Sequence, residues 1–175
     1  MKKDIKLYDM FFPFVFLLEK PLIWLIVFPV NLAINFMVVA ITMKFLKTAE
    51  ILKAVKKILL KVTLFGIAAD IIGSGILVTV KYLCESNAGE SESRLVKNIA
   101  EHILSNPFAN VFAFLTVLIV IGVSGVLIYY WDYNFAFKGL DIETKKRKKL
   151  ALVIAIITSP YMLFIPSFWF YTVLS

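Results

Sequence analysis

Hydrophobic positions along this chain fall into four long runs, Leu22–Met43, Val62–Val80, Phe108–Trp131 and Leu150–Tyr171, divided by polar connectors. Each run approaches or exceeds the roughly 20 apolar residues that carry a helix across a bilayer core. The pattern predicts an all-α, polytopic membrane protein with four transmembrane helices in a bundle. Residues 1–175 then form one membrane domain, with little chain left for a separate globular part.

The connectors differ sharply in charge. Residues 44–61 carry six lysines against Glu50, and residues 138–149 carry six basic residues against Asp141 and Glu143. The loop over 84–107 is acidic and polar, beginning with Glu85-Ser-Asn-Ala-Gly-Glu. Positive residues are retained on the cytoplasmic face, so loops 44–61 and 138–149 are expected inside, and both termini and loop 84–107 outside. Within that loop, Glu85–Ser93 reads as flexible and Leu95–Leu104 as a short helix. Asn106-Pro107 is expected to open the third span, with Asn as N-cap and Pro at the first helical position.

Two segments bordering the first span need separate treatment. Residues 1–20 hold lysines and then the apolar run Phe11–Leu18, which imitates a signal peptide. Glu19-Lys20-Pro21 follows instead of a small-residue cleavage site, so the segment is expected to be retained as an interfacial helix that turns at Pro21. In the connector beyond the span, Ile51, Leu52, Val55, Ile58, Leu59 and Val62 recur at helical spacing opposite Lys53, Lys56, Lys57 and Lys61. This amphipathic basic helix either lies on the inner leaflet or extends the second span and packs on its own protein.

Composition narrows the function classes. Apolar residues make up 61 % of the chain and mean hydropathy is +0.87, well above the half-apolar composition of soluble domains. The formal charge of +7 resides beside the spans. Lys53, Lys56, Lys57, Lys146, Arg147 and Lys148 are therefore expected to face anionic lipid headgroups, not nucleic acid. Cys84 is the only cysteine and His102 the only histidine, too few for a zinc site without several carboxylates, and an intrachain disulfide is impossible. No cofactor-binding pattern is visible.

Candidate chemistry centres on Asp70, near the middle of the second run, where an ionised carboxylate costs at least ~2.5 kcal/mol. Thr63, Gly66, Asp70, Gly73 and Ser74 share one helical face, and Ala69 with Gly73 forms a small-xxx-small pair suited to close helix approach. Asn31 and Asn35, one turn apart on the first run, are expected near the depth of Asp70 and within hydrogen-bonding reach of it. Two roles follow: a packing contact, or a proton or cation site. On the fourth run, Pro160 and Pro166 mark a hinge or a static bend. Asp132 is placed at the inner boundary of the third run.

The run Gly122-Val-Ser124-Gly125 matches the four-residue G-x-S-G pattern around the nucleophile of rhomboid intramembrane proteases. The resemblance covers those four residues alone. It implies a serine nucleophile, which needs a histidine base on another span. His102 lies in the outer loop, and four spans are too few for that fold, so Gly122 and Gly125 are read as a helix-packing face. An aspartyl protease needs two carboxylates sharing a proton, and Asp70 is the single acid placed deep in a span.

A non-enzymatic membrane protein, integral to a bacterial cytoplasmic membrane, is thus expected. The first reading is a subunit or scaffold of a larger membrane assembly. The second is a homo-oligomeric transporter or channel using Asp70 as a proton or cation site.

Overall fold

The structure is a computed structural model that describes residues 21–48, 50–86 and 94–166. The segment 1–20 expected to be interfacial, residues 87–93 of the loop and the aromatic end at 167–175 lie outside the described residues. Five α-helices are present among those described: α1 (Pro21–Phe45), α2 (Ile51–Ser86), α3 (Arg94–His102), α4 (Val111–Trp131) and α5 (Thr144–Thr158). The described residues contain no strand. Three helical segments are long and apolar enough to cross a membrane: Phe28–Phe45, Ile51–Ser86 and Val111–Ala136.

The turn between α1 and α2 shows how the first helix stops. Lys47 and Glu50 adopt positive φ angles of 49° and 50°. Thr48 closes the helix end by donating from its backbone N–H and its hydroxyl to the Met43 carbonyl, at 3.1 and 2.9 Å. Left-handed residues just beyond a helix satisfy the last carbonyls in this way.

Helix α2 has 36 residues, about 54 Å at 1.5 Å per residue, against a bilayer core of about 30 Å. Its first three turns answer the question left by the amphipathic connector. Val55, Ile58 and Val62 are buried, while Lys53, Lys56, Lys57 and Lys61 are exposed. The connector is an extension of the second run that packs on its own protein.

Helix α4 starts four residues later than the Asn106-Pro107 signal, at Val111. Pro107–Ala109 forms a separate 3-10 turn, and the Asn106 side chain caps nothing. The cap is Asn110, whose Oδ1 accepts from the N–H groups of Phe112 (2.9 Å) and Ala113 (3.1 Å). Proline at 107 fixes φ in a turn that precedes the helix, and the next asparagine fills the first free donors of α4. Replacing Asn110 with Ala is expected to lower stability by about 1 kcal/mol, whereas Asn106→Ala leaves the helix start unchanged. Unfolding in mixed micelles, followed by circular dichroism, compares the two.

The fourth apolar run is not one continuous helix. Helix α5 ends at Thr158, Ser159 has ψ of 152°, and Tyr161–Phe164 forms a 3-10 turn. Pro160 pushes the preceding residue out of helical geometry and removes a backbone donor. Thr158 and Ser159 turn their hydroxyls back onto the carbonyls of Ile154 (2.8 Å) and Ala155 (2.6 Å). Pro166, the second predicted bend, is half-buried beyond that turn.

The residues pack as two compact units, to which α2 and α4 each contribute. One comprises Leu22–Asp70 and Gly122–Pro160. Its buried cluster includes Val39, Met43, Ile58, Ile128, Phe137, Leu150 and Ile154. The other contains Ile71–Ile121 and the chain from Tyr161. It is organised around Leu77, Ile103, Val117 and Leu163, with Phe164 stacked on Phe114 at 5.0 Å.

Candidate functional site

The polar groups of interest gather in the unit formed by Leu22–Asp70 and Gly122–Pro160. Pairing begins on α1, where Asn31 and Asn35 stand one turn apart. The Asn35 amide donates to Asn31 Oδ1 at 3.0 Å and to Thr63 Oγ1 on α2 at 3.2 Å. Asn35 and Thr63 are both buried, so this bond ties α1 to α2 inside an apolar core.

The expected Asn–Asp70 pair is replaced by the Asn35–Thr63 pair. Thr63 and Asp70 share a face of α2, but seven residues separate them along the helix, about 10.5 Å. The side chain of Asn35 reaches one of them. Asp70 is partly buried, and its Oδ1 is enclosed with no hydrogen-bond donor. Asn35 Oδ1 is in the same condition. Both are acceptors on helices long and apolar enough to cross a membrane, and leaving a buried polar group unmet is costly. Ser74, on the same face of α2, belongs to the other unit.

The small residues divide by geometry. Ala69 is fully buried, and its carbonyl accepts from the Ser124 hydroxyl of α4 at 3.4 Å. A Cβ added at Gly125 would lie 2.7 Å from Ser159 Oγ, so α4 and α5 approach closely there. Cβ atoms added at Gly66 or Gly122 would meet nothing within 4 Å, and no neighbour demands glycine at either position. Gly73 is buried. The Ser124 hydroxyl that resembled a nucleophile is buried and turned onto a backbone carbonyl.

The basic residues also divide. Lys57 Nζ donates to the Gly139 carbonyl at 2.6 Å, which ties α2 to the segment after α4. Arg147 donates to the Tyr133 hydroxyl at 3.3 Å and sits 4.6 Å from the centre of that ring. Lys53 pairs with Glu50 at 3.0 Å. Lys56 and Lys148 are exposed, and Lys146 is half-buried.

Asp132 is the residue that the sequence pattern undervalued. It opens a π-helical turn, Asp132–Ala136, that continues α4, and it is fully buried. Neither carboxylate oxygen has a hydrogen-bond donor. A signal existed: the apolar run resumes after it with Phe135, Ala136 and Phe137, so the acid interrupts a span that does not end at Trp131. Among the described residues, no group of three or more His, Cys, Asp and Glu is placed to hold a metal ion. No known protein family, curated protein or solved structure matches the chain.

Proposed function

We propose that this chain is a small, non-enzymatic membrane protein that binds and passes a proton or monovalent cation, with Asp70 as its central group. The observation that carries the reading is the enclosed, donorless Oδ1 of Asp70 in an apolar helix long enough to cross a membrane. Intramembrane carboxylates of this kind recur at ion and proton paths, and a bound cation or proton supplies what the oxygen lacks. The hydrogen-bonded set of Asn31, Asn35 and Thr63 offers further oxygen atoms in the same unit.

In this reading the chain crosses four times, the last crossing being made by the apolar run over 150–171. Loops 44–61 and 138–149 lie inside, with the termini and loop 84–107 outside, in a cytoplasmic membrane. So few helices leave little room for a central path, which copies of the chain share as a homo-oligomer. Anionic headgroups neutralise the inner face. The run Lys145–Lys149 at the start of α5 opposes the helix dipole, and phosphate groups relieve that conflict.

The test is flux through liposomes containing the purified chain, under an imposed proton or sodium gradient. Wild type is expected to conduct above protein-free vesicles, Asp70→Asn to lose at least ten-fold, and Asp70→Glu to retain flux. Equal flux in Asp70→Asn removes the reading. The rival is a subunit or scaffold of a larger assembly, motivated by the many apolar side chains left exposed along α4. A wild type without flux that is extracted with a stoichiometric second membrane protein supports it.

A further inference from the structure

We infer that Arg147 is a two-position arm whose second position is a buried ion pair with Asp132, fastening the π-helical turn to α5. Its first position is the one in the structure, with the guanidinium on Tyr133. The device is independent of the role proposed for Asp70 and stands or falls without it.

Helix register places the two groups on one level. Arg147 lies over Tyr133, and a Cβ at Gly125 would stand 3.8 Å from the Ala155 carbonyl oxygen. Eight residues separate the two positions on each helix, so α4 and α5 run antiparallel with Tyr133 opposite Arg147. Asp132 is the neighbouring residue, and its turn packs on α5. Both side chains also start from inner faces. Arg147 shares its face of α5 with the fully buried Leu150, Ala151 and Ile154, three, four and seven positions on. Ser124, Ile128, Asp132 and Ala136, spaced by four, form a buried stripe along α4 and its π-helical turn. One core cluster takes residues from both faces, Ile128 and Ala136 from the first helix and Leu150 and Ile154 from the second.

Their unmet groups are complementary. Both oxygens of Asp132 and the Nε of Arg147 are buried without a hydrogen-bond partner. A guanidinium presents its donors in a planar fork, and the edge carrying Nε matches a carboxylate bidentately. In the first position Arg147 engages Nη2 at the Tyr133 hydroxyl and lays its face on the ring. A proton on Asp132 would answer the acid and leave Nε unmet, whereas one ion pair answers both. Neighbouring lysines are placed elsewhere: Lys57 holds the Gly139 carbonyl, and Lys145, Lys148 and Lys149 are exposed. The first position is itself well built. Tyr133 stacks on Tyr129 with planes 4° apart, which makes its ring a fixed platform and its hydroxyl a fixed acceptor. A long side chain between two such acceptors exchanges them by changing rotamer.

The test is infrared spectroscopy of the full-length chain in mixed micelles at neutral pH, in choline buffer free of alkali cations. The Asp132 band is assigned by its loss in Asp132→Asn, or by its shift in Asp132→Glu if the asparagine variant does not fold. Wild type is expected to show an ionised carboxylate at Asp132. Arg147→Gln should convert it to the protonated form, Arg147→Lys should keep it, and Tyr133→Phe should strengthen it by freeing the arm. Lys146→Gln, which removes the half-buried lysine beside Arg147, is expected to change nothing. A carboxyl that is protonated in wild type overturns the pair, as does an ionised band that survives Arg147→Gln or vanishes in Lys146→Gln. An unchanged band in Tyr133→Phe overturns the exchange between two positions. Denaturant unfolding gives a second measure, in which Asp132→Asn and Arg147→Gln are coupled by about five-fold or more in the folding equilibrium constant. Losses that simply multiply overturn the inference.

Discussion

Phe137→Ala is expected to cost about 3–5 kcal/mol, the range for truncating an aromatic side chain in a packed core. Phe137 is 0 % exposed and belongs to the same buried cluster as Val55, Ile58, Leu150 and Ile154. Its backbone N–H also closes the π-helical turn on the Asp132 carbonyl at 2.9 Å, and alanine keeps that bond. The loss is therefore one of packing, not of backbone pairing. Phe135, two residues earlier, is the control. It is 54 % exposed and touches Phe65 and Tyr130 through tilted and edge contacts at 6.3 and 6.4 Å. Phe135→Ala should cost no more than about 1.5 kcal/mol, the upper worth of such aromatic pairs. Unfolding of both variants in mixed micelles, read by circular dichroism, checks the difference. Equal losses would mean that Phe137 does not anchor this core.

The helical class was legible because hydrophobic run length is a strong signal, and three of the four runs correspond to helices long and apolar enough to span. The fourth was harder to read. Hydropathy counts Ser159-Pro160 as a brief dip, whereas proline acts on the backbone of its predecessor and ends α5 at Thr158. The start of α4 shows the same limit at smaller scale. Asn106-Pro107 and Asn110 are both plausible openings by residue type, and the choice falls to Asn110 because its side chain meets two free N–H groups.

Site residues were legible as types and not as pairs. The run pattern identifies Asn31, Asn35, Thr63 and Asp70 as polar groups inside spans. Which of them meet depends on helix register, and a slip of two turns separates an Asn35–Thr63 bond from an Asn35–Asp70 one. Asp132 escaped for a different reason. A boundary drawn at Trp131 assigns the next acid to an interface, yet the π-helical turn carries the helix five residues further and keeps that acid inside.

Gly122 and Gly125 look alike in sequence, and substituting each should give effects of opposite sign. Gly125→Leu is expected to destabilise by about 1–3 kcal/mol, because a larger side chain has to enter a filled contact. Already the Cβ would stand 2.7 Å from Ser159 Oγ and 3.8 Å from the Ala155 carbonyl oxygen. The serine hydroxyl would have to leave its 2.6 Å bond to that carbonyl, and the leucine branches would then press α4 from α5. Gly122→Ala meets nothing within 4 Å and replaces a poor helix former with the best one. It should stabilise by up to about 1 kcal/mol. Pairing Gly125→Ala with Ser159→Gly separates steric conflict from the loss of the hydroxyl bond. If the conflict dominates, the double variant recovers most of what Gly125→Ala alone loses. Similar behaviour at 122 and 125 would remove the close approach of α4 and α5 at Gly125.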